Sequence, residues 1–180
     1  MGVPMSQSRA TQLAVPVKQY DHVDGAADAG VTLVEYGDYE CPYCEEAHQA
    51  VKELRRTMGD RVRFVFRHFP LTQLHPHAQR AAEASEAAAE QGKFWEMHDL
   101  LFRQPSEIRE AELQDFAATL DLTQFNDELA MHTHRNRVRE DLISGAQSGV
   151  IGTPTFFING ERYDEQWDVT PLRAALEDAM

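Results

Sequence analysis

Residues 31–66 hold the pattern that most restricts the fold. Val31-Thr32-Leu33-Val34-Glu35-Tyr36 is an apolar, β-branched run, the make-up of a buried strand. Farther on, Ala47, Ala50, Val51, Leu54 and Met58 recur on one helical face, and Gly59 follows as a stop signal. Val62, Phe64 and Phe66 then alternate with other residues from Arg61 onward, as in a second strand. Strand, helix and strand in this order make a βαβ unit, whose two strands run parallel with the helix crossing over the sheet.

The turn from the first strand into the helix contains every thiol in the chain, in the order Cys41-Pro42-Tyr43-Cys44. A bridge between such close positions removes little unfolded-state entropy, so stabilisation is a weak reason for the pair. A Cys-x-x-Cys zinc half-site needs a second ligand pair to complete a tetrahedron. No second Cys-x-x-Cys occurs, and His48, one helical turn beyond Cys44, leaves the set incomplete. The chemistry that fits is a dithiol switch. Cys41 sits near a helix N-terminus, where unpaired N–H groups and the macrodipole favour a thiolate, and Pro42 suits a first-turn position that needs no N–H partner. Cys44, about one turn further in, can attack Cys41 and resolve a mixed disulfide.

A second signal stands far downstream at Gly152-Thr153-Pro154-Thr155-Phe156-Phe157-Ile158-Asn159-Gly160. Its proline opens an aromatic, β-branched run, one of the few places a sheet tolerates proline, and Asn159-Gly160 is a hairpin turn signal. With 17 Lys plus Arg against 30 Asp plus Glu, a net charge of −13 makes phosphate backbones and anionic lipid surfaces poor partners. No apolar run approaches the ~20 residues a bilayer span requires. The first 25 residues lack the apolar core of an export signal, so a cytoplasmic location is expected, or an extracytoplasmic one if a signal has been removed.

These residues resemble the DsbA-like branch of the thioredoxin superfamily. The resemblance rests on residues 34–44 ending in Cys41-Pro42-Tyr43-Cys44, on Gly92-Lys93-Phe94-Trp95-Glu96-Met97-His98, and on residues 152–160. It implies an α/β thioredoxin-like fold with an inserted helical subdomain, a cis peptide before Pro154 beside the active disulfide, and substrate backbone bound by the loop carrying Thr153 and Pro154. Pro42 and Tyr43, inside the motif, are further expected substrate contacts. In similar proteins an acid at the place of Glu35 sits behind the cysteine pair, which makes Glu35 a candidate proton relay for Cys44.

The organisation expected is an N-terminal extension at 1–25, frayed around Ser6, Gln7 and Ser8 with a candidate edge strand at 13–17, then a thioredoxin-like domain of 26–73 and 150–180. Residues 74–149 form the helical insertion, with an alanine-rich helix around 78–91, a helix at 94–102, a Leu113, Phe116, Ala117 and Leu120 stripe, and a Val138, Leu142 and Ala146 stripe. Phe94, Trp95 and Met97 are expected to seal the insertion against the core. Thr170 and Pro171 are expected to cap a last helix whose inner face is Leu172, Ala175, Leu176 and Ala179.

Glu40, Glu45 and Glu46 should oppose a thiolate at Cys41. Tyr43 stands where the most oxidising similar proteins have histidine, and its neutral hydroxyl offers no cationic partner. His75, His77, His132 and His134 are read as solvated, with no metal site and no cofactor expected. The expected activity is thiol-disulfide oxidoreductase, with Cys41 and Cys44 exchanging disulfides with protein or peptide thiols and an unidentified recycling partner, for which glutathione is a candidate. A non-catalytic peptide-binding or holdase module and a glutathione-dependent transferase or isomerase stand as alternatives.

Overall fold

The computed structural model describes residues 11–103 and 108–180, so Ser6, Gln7 and Ser8 lie outside the described residues. A five-stranded sheet has the order β1-β3-β2-β4-β5, built from β1 (His22–Asp24), β2 (Val31–Gly37), β3 (Val62–His68), β4 (Thr155–Ile158) and β5 (Glu161–Tyr163). β2 and β3 are parallel, joined by helix α1 (Pro42–Met58), in the arrangement the βαβ pattern requires. β4 pairs antiparallel with β2, and β5 returns beside it through Asn159 and Gly160, both at positive φ.

Between β3 and β4 the chain forms α2 (Ala78–Ala89), α3 (Phe94–Leu101), α4 (Glu110–Thr119), α5 (Phe125–Ala130) and α6 (Arg135–Gln147), and α7 (Val169–Asp178) closes it. The cap of α7 is Asp168 rather than Thr170, two residues earlier than Pro171 suggests, because proline is tolerated throughout a first turn whose N–H groups have no intrahelical acceptors.

Strand alternation divides the core in two. Val31, Leu33, Val62, Phe64, Phe66, Phe156 and Ile158 face α1, α7 and the insertion, whose Ala81, Ala84, Ala88, Phe94, Met97 and Leu113 continue the same apolar cluster. The insertion therefore shares the core of the sheet. Trp95 is only partly buried against it.

On the opposite face Val34, Tyr36, Val65, Phe69 and Phe157 pack under α6. The expected stripe there is rotated: Val138 is buried but Ala146 is exposed, and Asp141, Ser144 and Gly145 occupy the inner face. Ser144 Oγ lies 2.8 Å from Tyr36 Oη, and Asp141 accepts the His68 backbone N–H at 3.0 Å. At Gly145 a Cβ would meet the Phe69 ring at 2.6 Å, so the helix can approach only at glycine.

Residues 11–25 belong to the body and are not an extension beyond it. β1 pairs antiparallel with β3, and Gln12 bridges Glu161. Buried Arg67 holds the strap in place: its guanidinium binds Asp21 through two hydrogen bonds, at 2.9 and 2.8 Å, and reaches the carbonyls of Val15 and Pro16. Removing one partner of so buried a pair costs about 3–5 kcal/mol.

Candidate active site

Cys41 is the N-cap of α1, with extended backbone (φ −77, ψ 119), and Pro42 opens the first turn. The Cys41 carbonyl accepts the N–H groups of Cys44 and Glu45 at 3.0 and 3.1 Å. The two thiols lie in different surroundings, Cys41 at the edge of the core with 5% exposure and Cys44 at 0%. Both are free cysteines.

The loop before β4 closes over Cys41. The Thr153–Pro154 peptide is cis, and the Cys41 thiol lies 3.4 Å from the Thr153 carbonyl, to which it donates. Thr153 Oγ1 is buried and without a hydrogen-bond partner among the described residues, which leaves its hydroxyl available to a thiolate. Thr155 Oγ1 donates to the Gly152 carbonyl at 2.7 Å and holds the bend. The two sequence signals, Cys41-Pro42-Tyr43-Cys44 and Thr153-Pro154, thus meet at one sulfur. Tyr43 is 61% exposed and Pro42 is exposed too, on the outer side of the motif.

Electrostatics separates the two sulfurs. The Cys44 thiol is the largest influence on Cys41, and its hydrogen bond outweighs burial. With the Thr153 side chain and the backbone N–H groups of Cys44 and Tyr43 it brings the Cys41 pKa down to about 6. Cys44 moves the other way, pushed well above the ordinary thiol value by burial, by its role as donor to Cys41 and by the charge of Glu35.

Glu35 lies on the face of β2 that carries Val31 and Leu33, beneath α1, as the two-residue strand period dictates. At 2% exposure it is a buried acid rather than an ordinary strand carboxylate facing solvent. Burial first, and the Cys41 thiolate second, raise its pKa to about 8. Its Oε1 has no hydrogen-bond partner among the described residues, the state of a carboxyl kept protonated at neutral pH.

Asp38 was not singled out from the sequence, yet it organises the turn. Its backbone N–H points at Cys44 Sγ at 3.5 Å, and its carbonyl accepts the Cys41 N–H at 3.1 Å. Its carboxylate accepts the N–H of Glu40 at 2.8 Å on one oxygen, and on the other the N–H of Leu71 and a contact from His75 Nδ1, both at 2.8 Å. An acid three residues before Cys41 in a loop is the only sequence signal, and it resembles an ordinary turn residue.

Several expectations about charge change here. Glu40 turns its carboxylate away from the sulfur and accepts the N–H groups of His77 and Ile108, tying the motif to the insertion. Opposition to the thiolate is left to Glu45, half-buried, and Glu46, exposed. His48 is buried and pairs with Asp99 at 3.2 Å instead of joining the cysteines. His75 and His132 are bound to Asp38 and Glu83, and His134 to Glu128, so they are not simply solvated.

Comparison with known proteins agrees with this geometry. The sequence model of the family described as Thioredoxin matches residues 18–178. Curated relatives include a Na(+)/H(+) antiporter NhaA 1 of Salinispora arenicola, 49% identical over 171 residues that cover 93% of this chain and 26% of that protein. An NhaA 1 of Mycobacterium sp. (strain KMS) is 43% identical over 161 residues, covering 87% and 26%. The chain spans about a quarter of the length of these relatives. Among solved structures, oxidised BdbD from Bacillus subtilis has a TM-score of 0.77 at 26% identity, covering 87% of this chain and 91% of that one. A thioredoxin-like oxidoreductase from Silicibacter pomeroyi DSS-3 reaches 0.79 at 26% identity, covering 90% and 93%. By the match over residues 18–178, by the sheet order and by the helical insertion between β3 and β4, the chain belongs to the thioredoxin family and has the fold of its DsbA-like members.

Proposed function

We propose that the protein is a thiol-disulfide oxidoreductase that exchanges disulfides with protein or peptide substrates through Cys41 and Cys44. The observation that carries this reading is the asymmetry of the pair: one sulfur at a helix N-cap with its pKa lowered to about 6, the other fully buried with its pKa raised. A structural disulfide needs no such difference. Thiol exchange does, because the attacking sulfur must be a thiolate near neutral pH and the resolving sulfur must wait.

In the reducing direction the Cys41 thiolate attacks a substrate disulfide, forms a mixed disulfide and expels one substrate thiolate. With the Cys41 thiolate consumed, one of the two causes that keep Glu35 protonated is gone; Glu35 releases its proton to solvent, and its carboxylate takes the proton of Cys44 as Cys44 attacks the Cys41 sulfur. The second substrate thiolate leaves and the Cys41–Cys44 disulfide closes. Oxidation of a substrate dithiol is the same sequence reversed. Thr153 and Pro154 orient the substrate backbone at the sulfur, and Pro42 and Tyr43 present the motif to it.

BdbD and the Silicibacter pomeroyi protein, the latter named an oxidoreductase, support the reading by fold and by 26% identity each. Antiport, which the curated relatives' names state, is not carried over. The chain matches a quarter of those proteins, and among the described residues no helix is long and apolar enough to cross a membrane.

A turnover assay on a disulfide-bonded protein, with recycling by glutathione, tests the proposal. Catalysis abolished by alkylating the reduced protein supports it. No catalysis above the glutathione background points to a binding module, and full activity in Cys44→Ser points to a single-thiol, glutathione-dependent enzyme.

A further inference from the structure

Away from the dithiol, three side chains from three elements converge on one point. His22 of β1, His68 at the end of β3 and Glu86 near the C-terminal end of α2 each offer one ligand atom, and none of the three atoms is more than 4.8 Å from another. Both imidazoles direct Nε2 at the same carboxylate oxygen, Glu86 Oε1, each at 2.7 Å. His68 and Glu86 are buried, while the His22 side chain keeps 13% exposure and leaves a way in from solvent. The rings are held in place: His22 stacks on Phe94 with centroids 3.5 Å apart, and the His68 backbone N–H is fixed to Asp141.

We propose that His22, His68 and Glu86 bind a divalent transition-metal ion of the zinc type. Two imidazole nitrogens and one carboxylate oxygen are borderline donors that suit zinc, whereas calcium and magnesium require an oxygen shell. A tetrahedral zinc with ligands at about 2.0–2.2 Å sets ligand-to-ligand edges of about 3.3 Å. The 2.7 Å nitrogen-to-oxygen separations and the 4.8 Å upper bound bracket that edge. Shifts of well under 2 Å at side-chain ends would admit the ion, with a water completing the fourth position. Binding replaces the two Nε2 protons, so affinity falls as pH drops and the imidazoles take up protons.

The ion would join the N-terminal strap, the sheet and the insertion at one point, with the ring of Tyr39, two residues before Cys41, centred 6.0 Å from that of His68. The role is structural and does not depend on the proposed disulfide exchange. The sequence hides the site because its ligands lie far apart in the chain and fit no ligand-spacing motif.

Zinc chloride titrated calorimetrically into the oxidised protein tests the proposal, since the closed disulfide removes the sulfurs as ligands. One equivalent should bind and the thermal midpoint should rise. Cobalt(II) in its place should give tetrahedral d–d absorption without thiolate charge transfer. His22→Gln should weaken zinc at least tenfold and abolish the thermal shift, and Glu86→Gln should do the same. His132→Gln, at a largely exposed side chain elsewhere in the insertion, should leave both readouts intact. If Glu86→Gln does not fold, His22→Gln, at the partly exposed ligand, still decides the question. No binding at 1 mM zinc, unchanged affinity in His22→Gln, or anomalous zinc scattering at another position would overturn the proposal.

Discussion

The Cys41 sulfur and the carbonyl oxygen of Thr153 lie 3.4 Å apart, although 112 positions separate the two residues in the chain. The contact joins the N-cap of α1 to the loop entering β4. In the proposed exchange, the backbone of Thr153 is thus the protein surface beside the reacting sulfur.

The lowered Cys41 pKa predicts selective alkylation. Iodoacetamide should modify Cys41 of the reduced protein with a rate that follows the thiolate fraction, half-maximal near pH 6 and falling about tenfold per unit below it. Cys44 should stay unmodified across that range. Peptide mapping by mass spectrometry checks the site, and preferential labelling of Cys44 would reverse the assignment.

Glu35 makes a prediction about stability and rate together. Its folded-state pKa of about 8 lies above the ordinary 4.5, so well below pH 4.5, where the carboxyl is neutral folded and unfolded, its ionisation takes nothing from stability. Stability is then lost as pH rises, until the group ionises near 8. At pH 7 the loss is on the order of 3 kcal/mol. Glu35→Gln should remove most of it, raising the denaturation midpoint at pH 7 more than at pH 4.5, while slowing resolution of the mixed disulfide about tenfold or more. Equal midpoint changes at both pH values would place Glu35 outside the titrating machinery.

The redox poise should be intermediate. A Cys41 pKa near 6 falls between the thioredoxin and DsbA reference values, which corresponds to a potential of about −250 to −150 mV. Tyr43, exposed beside the sulfur, supplies no positive charge. Tyr43→His should raise the potential and lower the Cys41 pKa together, by roughly 30 mV for each 1.4 kcal/mol of thiolate stabilisation. Equilibration against glutathione measures the first and thiolate absorbance the second, and no change in either would remove the inner dipeptide as the determinant.

The βαβ unit and the helix-terminal cysteines were legible because strand and helix periods fix them, whereas the place of Glu35 behind the cysteine pair came only as what the family resemblance implies. In the structure the two-residue period puts Glu35 on the face of Leu33, the side that α1 covers. β1 was not legible, since three residues are too few to show alternation. Its place in the sheet is secured by contacts distant in sequence, such as Arg67 with Asp21. The face of α6 was misread because its inner side is polar: Asp141 and Ser144 are buried through partners on the sheet that hydropathy cannot reveal. α5 follows Gln124 in a left-handed conformation and spans six residues, too short for a helical period. Asp38 escaped because its importance lies in the five groups around it and not in its type.

Trapping of mixed disulfides tests the division of labour between the two cysteines most directly. Cys44→Ser and Cys41→Ser proteins, each incubated with a disulfide-bonded protein substrate and quenched with acid, can be compared on non-reducing gels with mass-spectrometric identification of the linked cysteine. The account predicts abundant adducts through Cys41 in the Cys44→Ser protein and few in the Cys41→Ser protein, because only Cys41 has a lowered pKa, while Cys44 is fully buried with its pKa raised. Equal trapping by the two variants, or adducts linked through Cys44, would contradict it.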